Sequence, residues 1–566
     1  MNGRQGKLRF ALGVSDFRKL REAGSVYVDK SLLIEDLLDA GAEALLIPRP
    51  RRMGKTLNLS MLRHFFEKSG VDNAPLFADL AIARSERAQQ HFQRYPVVFM
   101  TFKDVKSASW EQCLESLVGV LGGAYRDHEY LLESSSLKPH EAETFTAIVT
   151  RKATEVQYRS ALIDLCRHLH AHHGERVVLL IDEYDTPIHA GYTGGYYEKA
   201  VIFFRNLLSG ALKDNPHLFK GVLTGILRVA KESVFSGLNN LAVYSILRSE
   251  LSEHFGFTED DVASLVGAVG EPALLHDVRA WYDGYRFGGR AIYNPWSVLS
   301  FLDSADRQFR PYWVATASTE IVRDLLITGS EGLRAEVEVL LRGGEIEVSI
   351  DEPIAMRELT ASSDGIWSFL LFTGYLTATD VYMTEYGRMR ARLRVPNKEV
   401  LGALAGLVES WLKTQVGGAV ELERMLGALL GGDARSVERY LSRIVAATLS
   451  YHDLGGDNPE RVFHAFVAGL LVSLGPGYEV RSNRESGYGR YDVMVLPRAA
   501  GRPGVVLELK AIDTEMGETR EAALEAALRQ IGEKDYAAEL RERGAQPIHA
   551  MAVAFDGKHA WVRAAG

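Results

Sequence analysis

Short apolar runs alternate with longer stretches of helical periodicity over the first 230 residues of the chain. The runs lie at residues 44–47, 96–102, 177–181 and 218–224, and a typical amphipathic stretch follows the first of them at 57–66. Runs of this length separated by helical segments are typical of parallel strands with helices packed on both faces. The pattern therefore predicts an N-terminal α/β domain with a parallel sheet.

The rest of the chain shows three further patterns. Dense aromatic and glycine punctuation after residue 240 predicts a compact helical lid, and a mainly helical connector follows it. A turn-rich stretch at 451–459 then precedes an apolar helix, two strand-like runs at 491–496 and 504–510, and a helix at 521–540, which predict a second α/β domain. The expected domains are 1–240, 241–330, 331–455 and 456–566.

The octapeptide at residues 49–56 reads Arg-Pro-Arg-Arg-Met-Gly-Lys-Thr and joins the first apolar run to the helical stretch. In this context the backbone of Arg52, Met53 and Gly54 can form a phosphate-binding loop at a helix N-terminus. Lys55 can reach the β and γ phosphates, and the Thr56 hydroxyl can hold Mg²⁺. These residues predict the P-loop of an ATP-binding NTPase domain. The match is partial, because Arg49 stands where the generic pattern has glycine, and a basic turn that caps a helix is the alternative.

A second motif supports this interpretation. The apolar run at 177–181 ends in Asp182 and Glu183, as expected for a buried parallel strand that enters an active site at its carboxyl end. Asp182 is expected in the Mg²⁺ shell, and Glu183 is expected to polarise the attacking water. Arg228 follows the fourth run at the position where a γ-phosphate sensor would stand, although an ordinary strand-to-helix turn also explains it.

Composition limits the function classes. With 566 residues the chain is too long for one core, and its net charge of −9 argues against a generally basic nucleic-acid coat. Cys113 and Cys166 are too few for a thiolate zinc site or a disulfide framework. No secretory segment or membrane-spanning apolar run is visible. A cytoplasmic protein without a membrane partner is expected.

The C-terminal region carries a second candidate site. In the run at 504–510, alternation places Glu508 and Lys510 on one face of a strand. If this run pairs with 491–496 as a hairpin, Asp492 reaches the same site. Two carboxylates suit Mg²⁺ or Mn²⁺, and a lysine can orient or activate a water against a phosphodiester. Gln530, on the helix that follows, carries a polar group that can reach this site.

Taken together, the residues resemble a bacterial and archaeal family that combines a predicted AAA-ATPase-like domain with a C-terminal PD-(D/E)XK nuclease-superfamily domain. In that family an arginine-rich loop is usual, so Arg49 departs only from the generic phosphate loop, which has glycine there. The resemblance implies a restriction-endonuclease-like C-terminal α/β fold. It also implies a nuclease core of Asp492, Glu508 and Lys510, with Gln530 as an accessory residue and Glu485 or His464 as further contributors. The matching segments are 13–17, 27–30, 49–56, 181–187, 236–240, 282–296, 481–492, 508–510 and 530–531 together with Tyr536, and residues 330–450 contribute only short matches such as 372–377 and 395–399.

The leading hypothesis is an ATPase whose nucleotide state controls a metal-dependent nuclease acting on DNA or RNA, in mobile-element defence or DNA processing. A nucleotide-dependent switch or scaffold, which binds nucleic acid or protein without cleaving, is the alternative. A motor that translocates on DNA is a third hypothesis and requires DNA-stimulated ATPase activity. AAA-like sites often borrow an arginine from a neighbouring subunit, so a homo-oligomer is compatible with this family, although no residue of the sequence proves one.

Overall fold

The computed structural model divides the chain into two compact units. Unit 1 comprises Met1–Ala317 and Glu347–Val400, and unit 2 comprises Ser318–Ile346 and Leu401–Gly566. The structure describes residues 8–228, 240–313, 331–353, 363–416, 419–448, 467, 471, 474, 477–486, 489–512, 517–556 and 559–565. The turn-rich boundary expected at 451–459 lies outside these residues, and the four domain limits given above stay predictions.

The N-terminal sheet is parallel throughout, which confirms the predicted fold class. Its strands lie in the order β2-β3-β4-β1-β5. They are β1 (Ala44–Pro48), β2 (Val97–Thr101), β3 (Val177–Asp182), β4 (Leu218–Gly225) and β5 (Leu241–Val243).

Every residue of β1 and β3 is buried, as expected for strands covered on both faces. Because β4 lies between β1 and β3, the carboxyl ends of these three strands open side by side at one edge of the sheet. The helices of unit 1 before the last strands are Phe17–Glu22, Leu33–Asp39, Lys55–Phe66, Ala74–Phe77, Glu86–Gln89, Trp110–Arg126, Pro139–Val149, Glu155–His173, Thr186–Thr193, Tyr197–Leu212, Glu259–Ala268, Leu275–Tyr282 and Pro295–Asp303, with 3₁₀ turns at Ala81–Arg84, Glu129–Glu133 and Pro272–Leu274.

The segment from residue 240 to 313 packs around its own aromatic core. It contains three helices and a hairpin of β6 (Tyr285–Phe287) and β7 (Arg290–Ile292). Tyr282, Tyr293 and Phe301 are fully buried in this core. The aromatic residues that punctuate the sequence here therefore act mainly in packing.

The span predicted as mainly helical also contains a small sheet. Strands β8 (Ile346–Ser349), β9 (Thr377–Met383) and β10 (Met389–Arg394) lie in the order β8-β10-β9. The turn between the antiparallel strands β9 and β10 contains Gly387, whose left-handed φ of 71° favours glycine. The glycine and the alternating pattern of β10 are the sequence signals for this hairpin. The helices of this span are Glu331–Leu341, Ser363–Thr373, Lys398–Val416, Ala419–Leu430 and Ala434–Thr448.

The C-terminal domain is a mixed five-stranded sheet with helices, consistent with a nuclease-like fold. Only β13 and β14 run parallel, and the order is β11-β12-β13-β14-β15. The strands are β11 (Tyr478–Ser486), β12 (Gly489–Pro497), β13 (Gly504–Ala511), β14 (Ile548–Asp556) and β15 (His559–Ala564).

The helix predicted at 521–540 is interrupted. It forms as Arg520–Glu533, and a short second helix, Ala538–Glu542, follows. Between them the chain turns through Asp535, whose φ of 48° is incompatible with a continuous right-handed helix. The interruption brings Tyr536 back against the helix, where it is fully buried.

Candidate functional site

The loop between β1 and the Lys55–Phe66 helix contains two left-handed residues just before the helix begins. Gly54, the residue before the helix, has a φ of 84°, which favours glycine. Arg52 also takes a left-handed φ, 65°, which is uncommon for a residue with a side chain. The loop therefore ends at a helix N-terminus, where unsatisfied N–H groups and the helix dipole favour a phosphate.

Lys55 lies inside this loop. Its Nζ donates to the carbonyl oxygens of Arg49 (3.0 Å) and Pro50 (2.9 Å), and only 5% of the residue is exposed. Burial lowers the pKa of the Lys55 ammonium, and the nearby carboxylates of Glu183 and Asp182 oppose that shift. The ammonium is thus held at the loop that would carry the phosphates.

Three hydroxyl groups surround the Asp182 carboxylate at the end of β3. Thr56 and Thr224 each donate to it at 2.8 Å, and Thr101 donates at 3.3 Å. Burial raises the pKa of Asp182, while the hydrogen bonds from Thr224 and Thr56 oppose the rise. The predicted metal ligands Thr56 and Asp182 therefore lie next to each other, and their oxygens suit Mg²⁺.

Glu183 follows Asp182 with a left-handed φ of 50°, and Thr186 Oγ1 donates to its carboxylate at 3.1 Å. Glu183 lines a cleft of about 480 Å³ in unit 1. Arg52, Met53, Gly54, Lys55 and Thr56 line the same cleft. The structure thus brings together all the predicted nucleotide-site residues except Arg228. Asp182 does not line the cleft itself but is hydrogen-bonded to Thr56, which does.

Arg228 does not line this cleft. Its guanidinium lies 3.7 Å from the Glu352 carboxylate, and its backbone forms a bridge with Pro353. The turn before it is fixed by Asp185, whose carboxylate accepts hydrogen bonds from the backbone N–H groups of Ile226 (2.7 Å) and Leu227 (2.9 Å). A role for Arg228 as a phosphate sensor remains a prediction.

Arg49 explains why the loop departs from the generic pattern. The side chain is fully buried and donates to the carbonyl oxygens of Pro48 (2.9 Å), Tyr244 (2.5 Å) and Leu251 (3.2 Å). Its guanidinium also lies over the Phe255 ring. Burial lowers the pKa of Arg49 to about 9. The arginine therefore anchors the loop to the segment after β5.

Sequence reasoning missed several residues of the cleft. Lys103 and Lys106, beyond the end of β2, line it, as does Trp296, which lies 4.2 Å below the Arg52 guanidinium. Asn294 donates to the Arg51 carbonyl oxygen at 3.3 Å. Trp296 and Asn294 lie in segment 282–296, which resembles the AAA-ATPase-like family, so that resemblance could have indicated them. Nothing in the local sequence pattern indicates Lys103 and Lys106.

The second site forms on the hairpin of β12 and β13, as predicted. The strands are antiparallel with Val493 opposite Leu507, and the Leu509 N–H donates to Asp492 Oδ2 at 2.8 Å. Glu508 is 1% exposed, and Lys510 Nζ lies 3.8 Å from its Oε1. The structure therefore brings Asp492, Glu508 and Lys510 together.

The opposite face of β13 enters the hydrophobic core through Leu507 and Leu509, as the alternation predicts. On the site's face, Gln530 Nε2 donates to Tyr536 Oη at 3.1 Å. Burial raises the pKa of the Tyr536 phenol, and the charges of Glu508 and Asp492 raise it further. Gln530 and Tyr536 thus belong to the same neighbourhood as the two carboxylates.

The donor set fits a hard divalent cation only in part. Asp492 and Glu508 supply carboxylate oxygens, but within the described ranges no cluster of three or more His, Cys, Asp or Glu side chains could hold a metal ion. Water or phosphate oxygens would complete the coordination of Mg²⁺, which commonly keeps such ligands. His464 and the side chain of Glu485 lie outside the described residues.

Comparison with known proteins identifies the N-terminal and C-terminal domains. Residues 11–235 match the model of a predicted AAA-ATPase family, and residues 458–565 match that of the PD-(D/E)XK nuclease superfamily. The chain belongs to the family of AAA-ATPase-like proteins with a C-terminal PD-(D/E)XK nuclease-superfamily domain. Over 559 residues it is 30% identical to "Uncharacterized protein in vnfD 5'region" of Azotobacter chroococcum mcd 1, covering 97% of this chain and 96% of that protein.

These families generally use a nucleotide and a divalent metal ion. Both cysteines, Cys113 and Cys166, are buried and free. Of the helices in the described part of the chain, none is both long and apolar enough to cross a membrane.

Proposed function

We propose that this protein binds and hydrolyses ATP and that its nucleotide state regulates a Mg²⁺-dependent nuclease in the C-terminal domain. The proposal rests chiefly on the convergence of Asp492, Glu508 and Lys510 in a chain that also pairs Thr56 with Asp182 below a phosphate loop. Mobile-element defence or DNA processing is the setting we propose, with DNA or RNA as substrate.

At the nucleotide site, the loop backbone at Arg52, Met53 and Gly54 binds phosphate oxygens, and Lys55 neutralises their charge. Thr56 and Asp182 would hold Mg²⁺, which supplies charge neutralisation for the phosphates. Glu183 orients and polarises the attacking water from the rim of the cleft.

Arg228 is proposed to report on the phosphate from the turn after β4. That turn is linked to the nucleotide loop, because the Arg49 N–H donates to the Gly225 carbonyl oxygen at 3.0 Å. A homo-oligomer that supplies an arginine in trans is compatible with the same site.

At the nuclease site, Asp492 and Glu508 would hold Mg²⁺ or Mn²⁺, which stabilises charge on the phosphodiester. Lys510 lies beside Glu508 and orients or activates the attacking water. Gln530 assists from the neighbouring helix through its contact with Tyr536.

A switch or scaffold that binds without cleaving is the second candidate. The observation that favours it is the charge around the nuclease site, where Arg481 is paired with Glu479 at 2.7 Å and also with Glu539. A nuclease must attract phosphates, and these carboxylates neutralise a basic group that could do so. Tight, magnesium-independent binding of DNA without cleavage would support this candidate.

The decisive experiment measures cleavage of single-stranded and double-stranded DNA and RNA with Mg²⁺ or Mn²⁺, with and without ATP. Wild type is compared with Glu508→Ala and Lys55→Ala, and ATP turnover is measured in parallel. We expect Glu508→Ala to lose cleavage while keeping ATP turnover, and Lys55→Ala to lose turnover and to show cleavage that ignores ATP. No cleavage under any condition would contradict the nuclease proposal, and unchanged turnover in Lys55→Ala would contradict the nucleotide-site assignment.

A further inference from the structure

The Lys398–Val416 helix begins in unit 1 and continues into unit 2. Its start is anchored within unit 1 by two buried side chains. Asn397 Nδ2 donates to the Asp283 carbonyl oxygen at 2.7 Å, and Asn397 Oδ1 accepts from the Val400 N–H at 3.0 Å. Glu399, fully buried, provides the second anchor.

The partners of Glu399 lie on the segment that follows β7. Ser297 Oγ lies 2.8 and 3.1 Å from the two carboxylate oxygens of Glu399 and donates to them, and the backbone N–H of Trp313 donates at 2.6 Å. Ser297 is also fully buried. The Lys398–Val416 helix, here called the connecting helix, is therefore hydrogen-bonded to the first turn of the Pro295–Asp303 helix.

The same first turn touches the phosphate loop at two points. Asn294 caps the helix, its Oδ1 accepting from the N–H groups of Trp296 (3.0 Å) and Ser297 (3.4 Å), while its Nδ2 donates to the Arg51 carbonyl oxygen. In addition, the Arg52 guanidinium lies 4.2 Å from the centre of the Trp296 ring. One helical turn thus contacts both the loop and the connecting helix.

The burial of this chain of contacts determines what it can do. Asn294, Ser297 and Glu399 each have 0% exposure, so water cannot easily replace a hydrogen bond that breaks. A buried polar group left without its partner is costly, so the turn moves with its partners. A displacement of the loop carbonyl would therefore be transmitted to Glu399.

We propose that Asn294, Ser297 and Glu399 are positioning residues that transmit the nucleotide state of the phosphate loop to the Lys398–Val416 helix. This inference rests on the proposed function, since it names the route by which ATP would regulate the C-terminal domain. The physical requirement for such coupling is an element whose arrangement differs between the two nucleotide states. The start of the connecting helix is that element.

The test uses the full-length protein and two readouts. Hydrogen exchange of residues 398–416 is measured with and without saturating ATP and Mg²⁺, and the ratio of cleavage rates with and without ATP is measured on the same samples. We expect ATP to change exchange in wild type. In Ser297→Ala and Glu399→Ala we expect that change to disappear and the cleavage ratio to move about fivefold or more towards one, at the low end of allosteric coupling factors.

Two controls separate coupling from damage. Glu399→Gln keeps an acceptor for Ser297 and Trp313 and should retain the response, whereas Lys398→Ala alters an exposed neighbour on the same turn and should behave as wild type. Thermal unfolding and binding of a fluorescent ATP analogue establish that each variant is folded and loaded. Should Glu399→Ala fail to fold, Ser297→Ala removes a single hydroxyl group and carries the test.

The outcomes distinguish this inference from the proposed function. If ATP binds and changes exchange at 398–416 but nothing is cleaved, the nuclease proposal fails and the route stands. If ATP binds and exchange there is unchanged, or if Ser297→Ala responds as wild type does, the route is wrong while the nuclease proposal survives. If no ATP binds to wild type, both are overturned.

Discussion

The hydroxyl group of Thr56 donates a 2.8 Å hydrogen bond to the carboxylate of Asp182. Thr56 belongs to the helix after β1, whereas Asp182 ends β3, and β4 lies between these two strands. Thr224, at the end of β4, donates to the other oxygen of the same carboxylate at 2.8 Å. One buried acid therefore ties the ends of β3 and β4 to the start of the Lys55–Phe66 helix, at the edge where the nucleotide is proposed to bind.

This arrangement predicts that Thr224→Val destabilises the protein. The change removes one donor from a carboxylate that is fully buried, and such a loss costs about 1–3 kcal/mol. Chemical denaturation checks the free energy of unfolding. Thr224→Ser, which keeps the hydroxyl, should recover most of the loss, and Thr193→Val, at an exposed helical position, should change little. Equal stability of Thr224→Val and wild type would show that the Asp182 cluster contributes little to folding.

Arg49 leads to a prediction that opposes the generic motif. Arg49→Gly restores the glycine of the usual phosphate loop, yet we expect it to destabilise unit 1 by about 3 kcal/mol and to weaken ATP binding. The reason is the loss of the buried guanidinium and its bonds to the carbonyls of Tyr244 and Leu251. Thermal unfolding and titration with a fluorescent ATP analogue measure the two effects.

Arg49→Met is the matched control for this prediction. It keeps an apolar body against Phe255 and Phe287 but removes every donor, so its stability should lie between those of Arg49→Gly and wild type. An Arg49→Gly variant that binds ATP as tightly as wild type would show that the anchor is dispensable.

How much the sequence could reveal depends on the separation of the partners. Lys55, Thr56 and Asp182 stand in local motifs next to apolar strands, so their convergence followed from the parallel sheet. The proximity of Asp492 and Glu508 was also predictable, because their two strands are close in sequence and a short turn joins them as a hairpin.

The remaining contacts depend on tertiary packing. Glu399 and Ser297 are 102 residues apart, and neither stands in a pattern that indicates a buried pair. Arg228 pairs with Glu352, which is remote in sequence, and no local pattern indicates that pair. Helical periodicity likewise did not reveal the break at Asp535.

Glu399 predicts a pH-dependent stability. Burial raises the pKa of its carboxyl group from 4.5 to about 7, against the opposing hydrogen bonds from Trp313 and Ser297. Among the described residues, its charge acts on the phenols of Tyr282 and Tyr285 and contributes to their raised pKa values. Because the folded protein holds this proton more tightly than the unfolded chain does, the stabilising effect is complete below about pH 4.5 and is lost as the pH rises through about 7.

The expected result is a difference between two proteins. From about pH 6 to about pH 8, wild type should lose about 1 kcal/mol of unfolding free energy relative to Glu399→Gln, which cannot ionise. Denaturant titrations of both proteins across this range measure the difference and cancel the contribution of the histidines. Parallel curves for the two proteins would mean that Glu399 ionises normally.

At the nuclease site, the 3.1 Å contact between Gln530 Nε2 and Tyr536 Oη predicts that the two side chains act as one unit. Gln530→Ala and Tyr536→Phe should each reduce metal-dependent cleavage about tenfold, because each leaves the other group without its position beside Glu508 and Asp492. The double variant should be no slower than the slower single variant, since residues that share one interaction are not additive. Glu525→Ala, an exposed change on the same helix, serves as the control. Additive losses in the double variant would assign Gln530 and Tyr536 separate roles, and a wild-type rate in Gln530→Ala would remove Gln530 from the site.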